Sequence, residues 1–131
     1  MIYLFRIGLA TTVLVITWLA LAQDPYPDVE FLLFDKLNHV VAFLVLAFLA
    51  DYAFPLVQNH NIKWLALLGY GLFLEVAQYS TGYRYFEVLD LLADASGIAV
   101  YVAIRSFMGS LMPDWVEVPM KTHSIEEVES K

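Results

Sequence analysis

Apolar residues gather along the chain into four stretches, residues 2–22, 37–54, 62–79 and 88–108. Each is close to the roughly 20 residues that an α-helix needs to cross a hydrocarbon core. Polar residues collect between them. Residues 23–35 are rich in Asp, Pro and Glu, residues 55–61 form a short polar connection, and "STGYRYFE" separates the third stretch from the fourth. An acidic tail follows Pro113. It contains "SIEEVES", in which Ser124 and Glu127 stand at the spacing of a weak capping box. The pattern predicts an all-α protein: an integral membrane bundle of four transmembrane helices with short loops over residues 1–112, then an exposed tail over 113–131.

The pattern is interrupted on one side only. The second helix opens with "DKLNH", which sets Asp35 and His39 one turn apart on one face with Lys36 beside them at the boundary. The third closes with "LEVAQYS", where Glu75 and Gln78, three residues apart, also share a face. In the fourth, Asp90, Asp94, Gly97 and Tyr101 follow spacings of four, three and four and draw a single stripe of polar and small residues. Arg84 lies in the loop between them. All of these fall at the same end of the alternating helices. The other end holds Asp51, Lys63 and Arg105, which read as ordinary boundary residues, and Glu87 reads as surface. His60 and His123, in a loop and in the tail, receive no partner from the sequence.

Composition supports the membrane reading and narrows the function. Of the 131 residues 60% are hydrophobic, against about 45–50% in ordinary soluble domains, so no room is left for a separate soluble catalytic module. A net charge of −7 argues against nucleic acid, which is held mainly by Lys and Arg on phosphates. The absence of Cys removes disulfides, thiolate metal sites and thiol nucleophiles. Arg6, Lys63, Arg105, Lys121 and Lys131 fall on one side of a four-span arrangement, and Lys36 and Arg84 on the other. Positive residues stay in the cytoplasm, so the expected topology is N-in, C-in, with the acidic first loop outside. "ALAQD" after the first stretch has the A-x-A spacing of a signal-peptide cleavage site, but the apolar run is long for such a segment, and an uncleaved first helix is expected.

A charged side chain at the centre of a spanning helix costs about 2.5–3.5 kcal/mol, so Glu75, Asp90 and Asp94 should turn inward. The cations available to them are Lys36, Arg84 and a protonated His39. Carboxylates outnumber the fixed cations, and crowding of that kind favours a shared proton, as acid–base chemistry requires. Simpler roles compete. Asp35 and Lys36 can mark an interfacial helix start, and Glu75 and Gln78 can hold helices together by hydrogen bonds. Arg84 can reach lipid phosphate, Gly97 can serve close packing, and Trp18, Trp64, Trp115, Tyr83 and Tyr85 can form an interfacial belt. A metal site from His39 with Asp35, Glu75 and Asp90 is conceivable, but one His with scattered carboxylates lacks a strong ligand spacing such as H-E-x-x-H, so the sequence assigns no metal and no cofactor.

The ordered set "DKLNHVVAF", "EVAQ", "YR" and "DLLADASG" across four hydrophobic segments resembles the VanZ-like family of bacterial membrane proteins. The resemblance places the family's Asp-Lys and following His on Asp35, Lys36 and His39. It places the family's Glu and Gln on Glu75 and Gln78, its loop Arg on Arg84, and its last-helix Asp and Gly on Asp90 and Gly97. Two positions depart: Asp94 stands where the family usually has Asn, and Tyr101 where a small residue often follows the Gly. The resemblance implies a four-helix protein of the bacterial cytoplasmic (inner) membrane, in a family named for a protein linked to low-level teicoplanin resistance.

Together these readings point to an outward-facing polar site that binds or acts on an envelope lipid or lipid-linked precursor. Asp35, His39, Glu75 and Asp90 are the candidate proton-handling residues, and Lys36, Gln78, Arg84 and Asp94 the candidate binding residues. The alternative is a non-catalytic structural or partner subunit in which the same residues form an ion-paired latch. A proton-coupled carrier fits less well, because few polar residues continue toward the inner face.

Overall fold

The computed structural model describes residues 1–22, 29–82 and 84–111. Four α-helices run in sequence: α1 (Ile2–Leu21), α2 (Val29–Ala53), α3 (His60–Ser80) and α4 (Val88–Leu111). There is no strand among the described residues. The expected tail lies outside them, as do Tyr83, Trp115 and His123.

Three of the helices begin within two residues of expectation. The fourth, α2, begins eight residues before position 37, at Val29. Pro25 and Pro27 are the last helix-hostile residues of the first loop, and from Val29 onward neither Pro nor Gly intervenes before Asp51, so nothing stops the helix from starting there. Asp35, expected at a helix start, therefore sits almost two turns inside α2. At the far end of the α2–α3 connection, Asn59 caps α3 by accepting from the Asn61 amide at 3.1 Å.

Helix α2 is the centre of the bundle, packing on α1, α3 and above all α4, while α1 does not reach α4. Neighbours along the chain run antiparallel and α2 runs parallel to α4, so the α1–α2 and α3–α4 connections share one end of the bundle. That end is called the two-loop end below, and the opposite one the one-loop end. The close approach of α2 to α4 depends on Gly97. A Cβ there would collide with the Val40 carbonyl and lie 3.0 Å from the Leu44 amide nitrogen. Phe43, Leu46, Ala47 and Ala50 of α2 pack with Leu67 and Leu74 of α3 and Ile98 and Tyr101 of α4 to form the core.

The rest of the distribution is inverted relative to a soluble protein. Asp51, Lys63, Glu75, Gln78, Asp90 and Asp94 are buried, whereas Leu14, Trp18, Leu33, Phe73, Leu89 and Phe107 face outward. Helix α1 has no buried residue at all. Two stretches, Ile2–Leu21 and Leu33–Ala53, are long and apolar enough to cross a membrane. The four-span expectation thus stands here as four helices, two of which meet that condition by length and composition.

Candidate functional site

The stripe read from α4 is real: Asp90, Asp94, Gly97 and Tyr101 are all buried, and they face α2 and α3. At the two-loop end the expected site residues meet. His39 Nδ1 lies 2.7 Å from Asp94 Oδ1, and His39 Nε2 lies 3.9 Å from Asp90 Oδ2. Lys36 pairs with both Asp90 and Glu87, tying α2 to the start of α4. Arg84 donates to Asp35 Oδ2 at 3.0 Å, so the loop Arg closes back onto α2. Glu75 is fully buried, and one of its oxygens accepts from the Glu87 backbone amide at 3.1 Å. Gln78 donates to the Ala20 carbonyl at 3.0 Å, fastening α3 to the end of α1.

Glu87 is a correction to the surface reading. Its carboxylate holds Lys36 and its amide holds Glu75, so it belongs to the cluster. The sequence missed it because it precedes the helix and lies off the Asp90–Asp94 stripe. Lys36 and Arg84 find Glu87, Asp90 and Asp35, and they leave Glu75 Oε1 and Asp94 Oδ2 buried with no hydrogen-bond partner among the described residues.

A cavity of about 470 Å³ opens beside this cluster, between α1, α2 and α3. Its polar end is made by Asp35, Asn38, His39, Gln78 and Arg84, and its walls are apolar, with Ile16 and Leu19 of α1 opposite Val41 and Phe43 of α2 and Leu74 of α3. Such a volume is within the range of small-molecule sites. Of the four proton-handling candidates, Asp35 and His39 line the cavity. His39 joins it to the carboxylates of Asp94 and Asp90 behind. Asp35, His39 and Asp90 also each bring one ligand-type atom within 4.8 Å of the other two, so a metal ion could be held there.

The one-loop end overturns a second expectation. Asp51, read as an ordinary boundary residue, is fully buried and is the hub of an ion-paired cluster. Lys63 Nζ lies 2.8 Å from its Oδ1 and Arg105 Nε 3.0 Å from its Oδ2, and the Tyr101 hydroxyl donates to Oδ2 at 2.8 Å. His60, assigned no partner, sits 3.5 Å from Asp51 Oδ1 and 3.5 Å from an Arg105 nitrogen. Trp64 packs on Tyr101 with ring centroids 5.8 Å apart, so it is half-buried and is no simple belt residue. Asp51 and Arg105 are 54 positions apart and no short motif joins them. The available signal was that Asp51 and Lys63 bracket one connection, with opposite charges, at the same end of the bundle as Arg105.

Comparison with known proteins agrees with the order of motifs in the chain. No curated protein and no solved structure gives a match. The profile of the VanZ/LLP1 family matches residues 5–109, from the first turn of α1 to the last turns of α4, including every member of both clusters, and the chain belongs to that family.

Proposed function

We propose that this chain spans the bacterial inner membrane four times, with both termini in the cytoplasm, and that the cavity at the two-loop end faces outward and binds an anionic envelope lipid or lipid-linked precursor. The observation that carries the reading is the cavity itself, polar at one end and apolar along its walls, as an amphiphile with one charged headgroup requires. Arg84 is the anion-facing group. Its contact with Asp35 uses one terminal nitrogen, and a guanidinium has five N–H donors in a planar fork suited to phosphate oxygens. Gln78 and Asn38 supply neutral polar contacts, and the α1–α2 wall receives the acyl or prenyl chain. His39, which lines the cavity with one nitrogen on Asp94 and the other toward Asp90, joins the headgroup end of the cavity to the buried carboxylates.

Native mass spectrometry of the protein extracted with its lipids tests the reading. Wild type should carry a specific anionic lipid, and Arg84→Ala should lose it by at least tenfold while keeping its helical content. Retention of the same lipid by Arg84→Ala would remove the proposal.

A structural-subunit reading is favoured by one specific observation: Lys36 and Arg84 both make ion pairs across elements. In that case the charge-swapped pair Asp35→Arg with Arg84→Asp should restore the thermal stability lost in each single variant. A lipid-binding role predicts that the swap does not restore bound lipid.

A further inference from the structure

We propose that Asp35, His39 and Asp90 bind one divalent transition-metal ion of the zinc or manganese type, with Asp94 as the positioning residue that orients His39. Four observations converge on it.

The first is how His39 is held. A carboxylate at 2.7 Å can only accept, so Nδ1 is the protonated nitrogen and donates to Asp94 Oδ1. In neutral imidazole Nε2 then carries a lone pair, and that lone pair faces Asp90 Oδ2 at 3.9 Å, too far for a hydrogen bond. A cation resolves the meeting of these two acceptors, either a proton on Nε2 or a metal ion, and only a metal ion would also engage the Asp35 oxygen grouped with them. With metal–nitrogen and metal–oxygen bonds of about 2.1 Å, two ligand atoms of one tetrahedral ion stand about 3.4 Å apart, so a small side-chain adjustment closes the gap. The arrangement of carboxylate, imidazole and metal is the usual way a ligating His is fixed in one tautomer.

The second is which oxygens are free. Lys36 occupies Asp90 Oδ1 and Arg84 occupies Asp35 Oδ2, so each cation orients a carboxylate by one oxygen and leaves the other for an ion. The three ligand-type atoms lie within 4.8 Å of one another.

The third is charge. Among the described residues, Asp35, Glu75, Glu87, Asp90 and Asp94 face only Lys36 and Arg84 as fixed cations in the cluster, and the Glu75 carboxylate interacts electrostatically with His39, Asp90 and Asp94. Glu75 and Asp94 are fully buried, and each keeps one oxygen without a hydrogen-bond partner. A buried anionic surplus is costly, and a divalent ion removes most of it.

The fourth is access. Asp35 and His39 line the cavity, so an ion can enter from it. One imidazole with two carboxylates and an open position suits zinc or manganese better than calcium or magnesium, which prefer oxygen-only shells.

The test uses the full chain in detergent, stripped with a chelator and dialysed against Zn²⁺ alone, with bound metal counted by mass spectrometry. Wild type should hold one ion per chain, and Ca²⁺ and Mg²⁺ should not displace it. His39→Gln should weaken binding more than a hundredfold. Asp94→Asn, which keeps an oxygen acceptor for Nδ1–H, should weaken it ten- to a hundredfold, and His60→Ala at the opposite end should leave it unchanged. Should His39→Gln misfold, Mn²⁺ bound to wild type provides a second readout, because its pulsed electron-spin echo must show coupling to one imidazole nitrogen. Absence of a bound ion in wild type, full affinity in a folded His39→Gln variant, or a Mn²⁺ echo without nitrogen coupling would overturn the site. No lipid enters this measurement, so its failure is distinct from failure of the lipid-binding proposal.

Discussion

Asp51 shows how much weight one residue carries in this bundle. Its carboxylate is shared by Lys63, Arg105 and the Tyr101 hydroxyl, all in the interior. Asp51→Ala leaves the buried Lys63 and the partly buried Arg105 without this counter-charge, and breaking a buried pair in this way costs on the order of 3–5 kcal/mol. Tyr101→Phe removes only one hydrogen bond to a charged group and should cost about 1.5–3 kcal/mol. Reversible unfolding in mixed micelles would measure both, and an Asp51→Ala variant as stable as wild type would show that the cluster does not hold the fold. At the two-loop end, by contrast, six of the eight expected residues were legible because each helix repeats its polar residues at three- or four-residue spacing. Asp51, Lys63 and Arg105 come singly, one per helix. A lone charge near a helix end looks the same in sequence whether it meets water, headgroups or a buried partner, and only the relative rotation of the helices decides among them.

Among the helices, the α2–α4 pair is set by one position. Gly97→Leu would force the Val40 carbonyl and the Leu44 amide away from α4 and, through them, move His39 away from Asp90 and Asp94. Overpacking of this kind costs about 1–3 kcal/mol, and here it should also abolish binding at the two-loop end. Gly69 supplies the control, since a Cβ there meets nothing within 4 Å and Gly69→Ala should gain up to about 1 kcal/mol from helix propensity. Equal melting temperatures for the two variants would contradict the packing argument. The role of Gly97 in close approach was readable from the stripe it shares with Asp90, Asp94 and Tyr101. The true start of α2 was not, because a Pro-rich acidic segment and an apolar one merge without a break around Val29, and hydropathy alone places the boundary at the charged pair Asp35 and Lys36. Glu87 was lost for a related reason. Periodicity locates residues inside a helix and says nothing of one that folds back from the loop before it.

For the molecule as a whole, family membership, two helices long and apolar enough to cross a membrane, and the exposure of large apolar residues agree with a membrane protein. The proposed topology has a direct check, made clean by the absence of Cys from the chain. Tyr85→Cys, in the α3–α4 loop, should react with a membrane-impermeant maleimide on intact cells. Gln58→Cys, in the α2–α3 connection, should react only after permeabilisation. Labelling of both from the same side would rule out the four-span arrangement.

Helix α1 gives Ile16, Leu19 and Ala20 to the lining of the cavity and no fully buried residue to the core, and four hydrogen bonds tie it to its neighbours: Arg6 to the Ala53 carbonyl, Tyr70 to Val13 and to Thr17, and Gln78 to Ala20. Phe43 and Leu74 serve both the core and the cavity wall, whereas the α1 residues of that wall are only partly buried or exposed. Leu19 is largely exposed, and Leu19→Ala should change stability by less than about 1 kcal/mol, since it vacates little packed volume. The same change widens the apolar wall and should shift the chain length of the lipid that co-purifies. In the proposed lipid site, substitutions in α1 would reshape one apolar wall while the buried core of α2, α3 and α4 stays as it is.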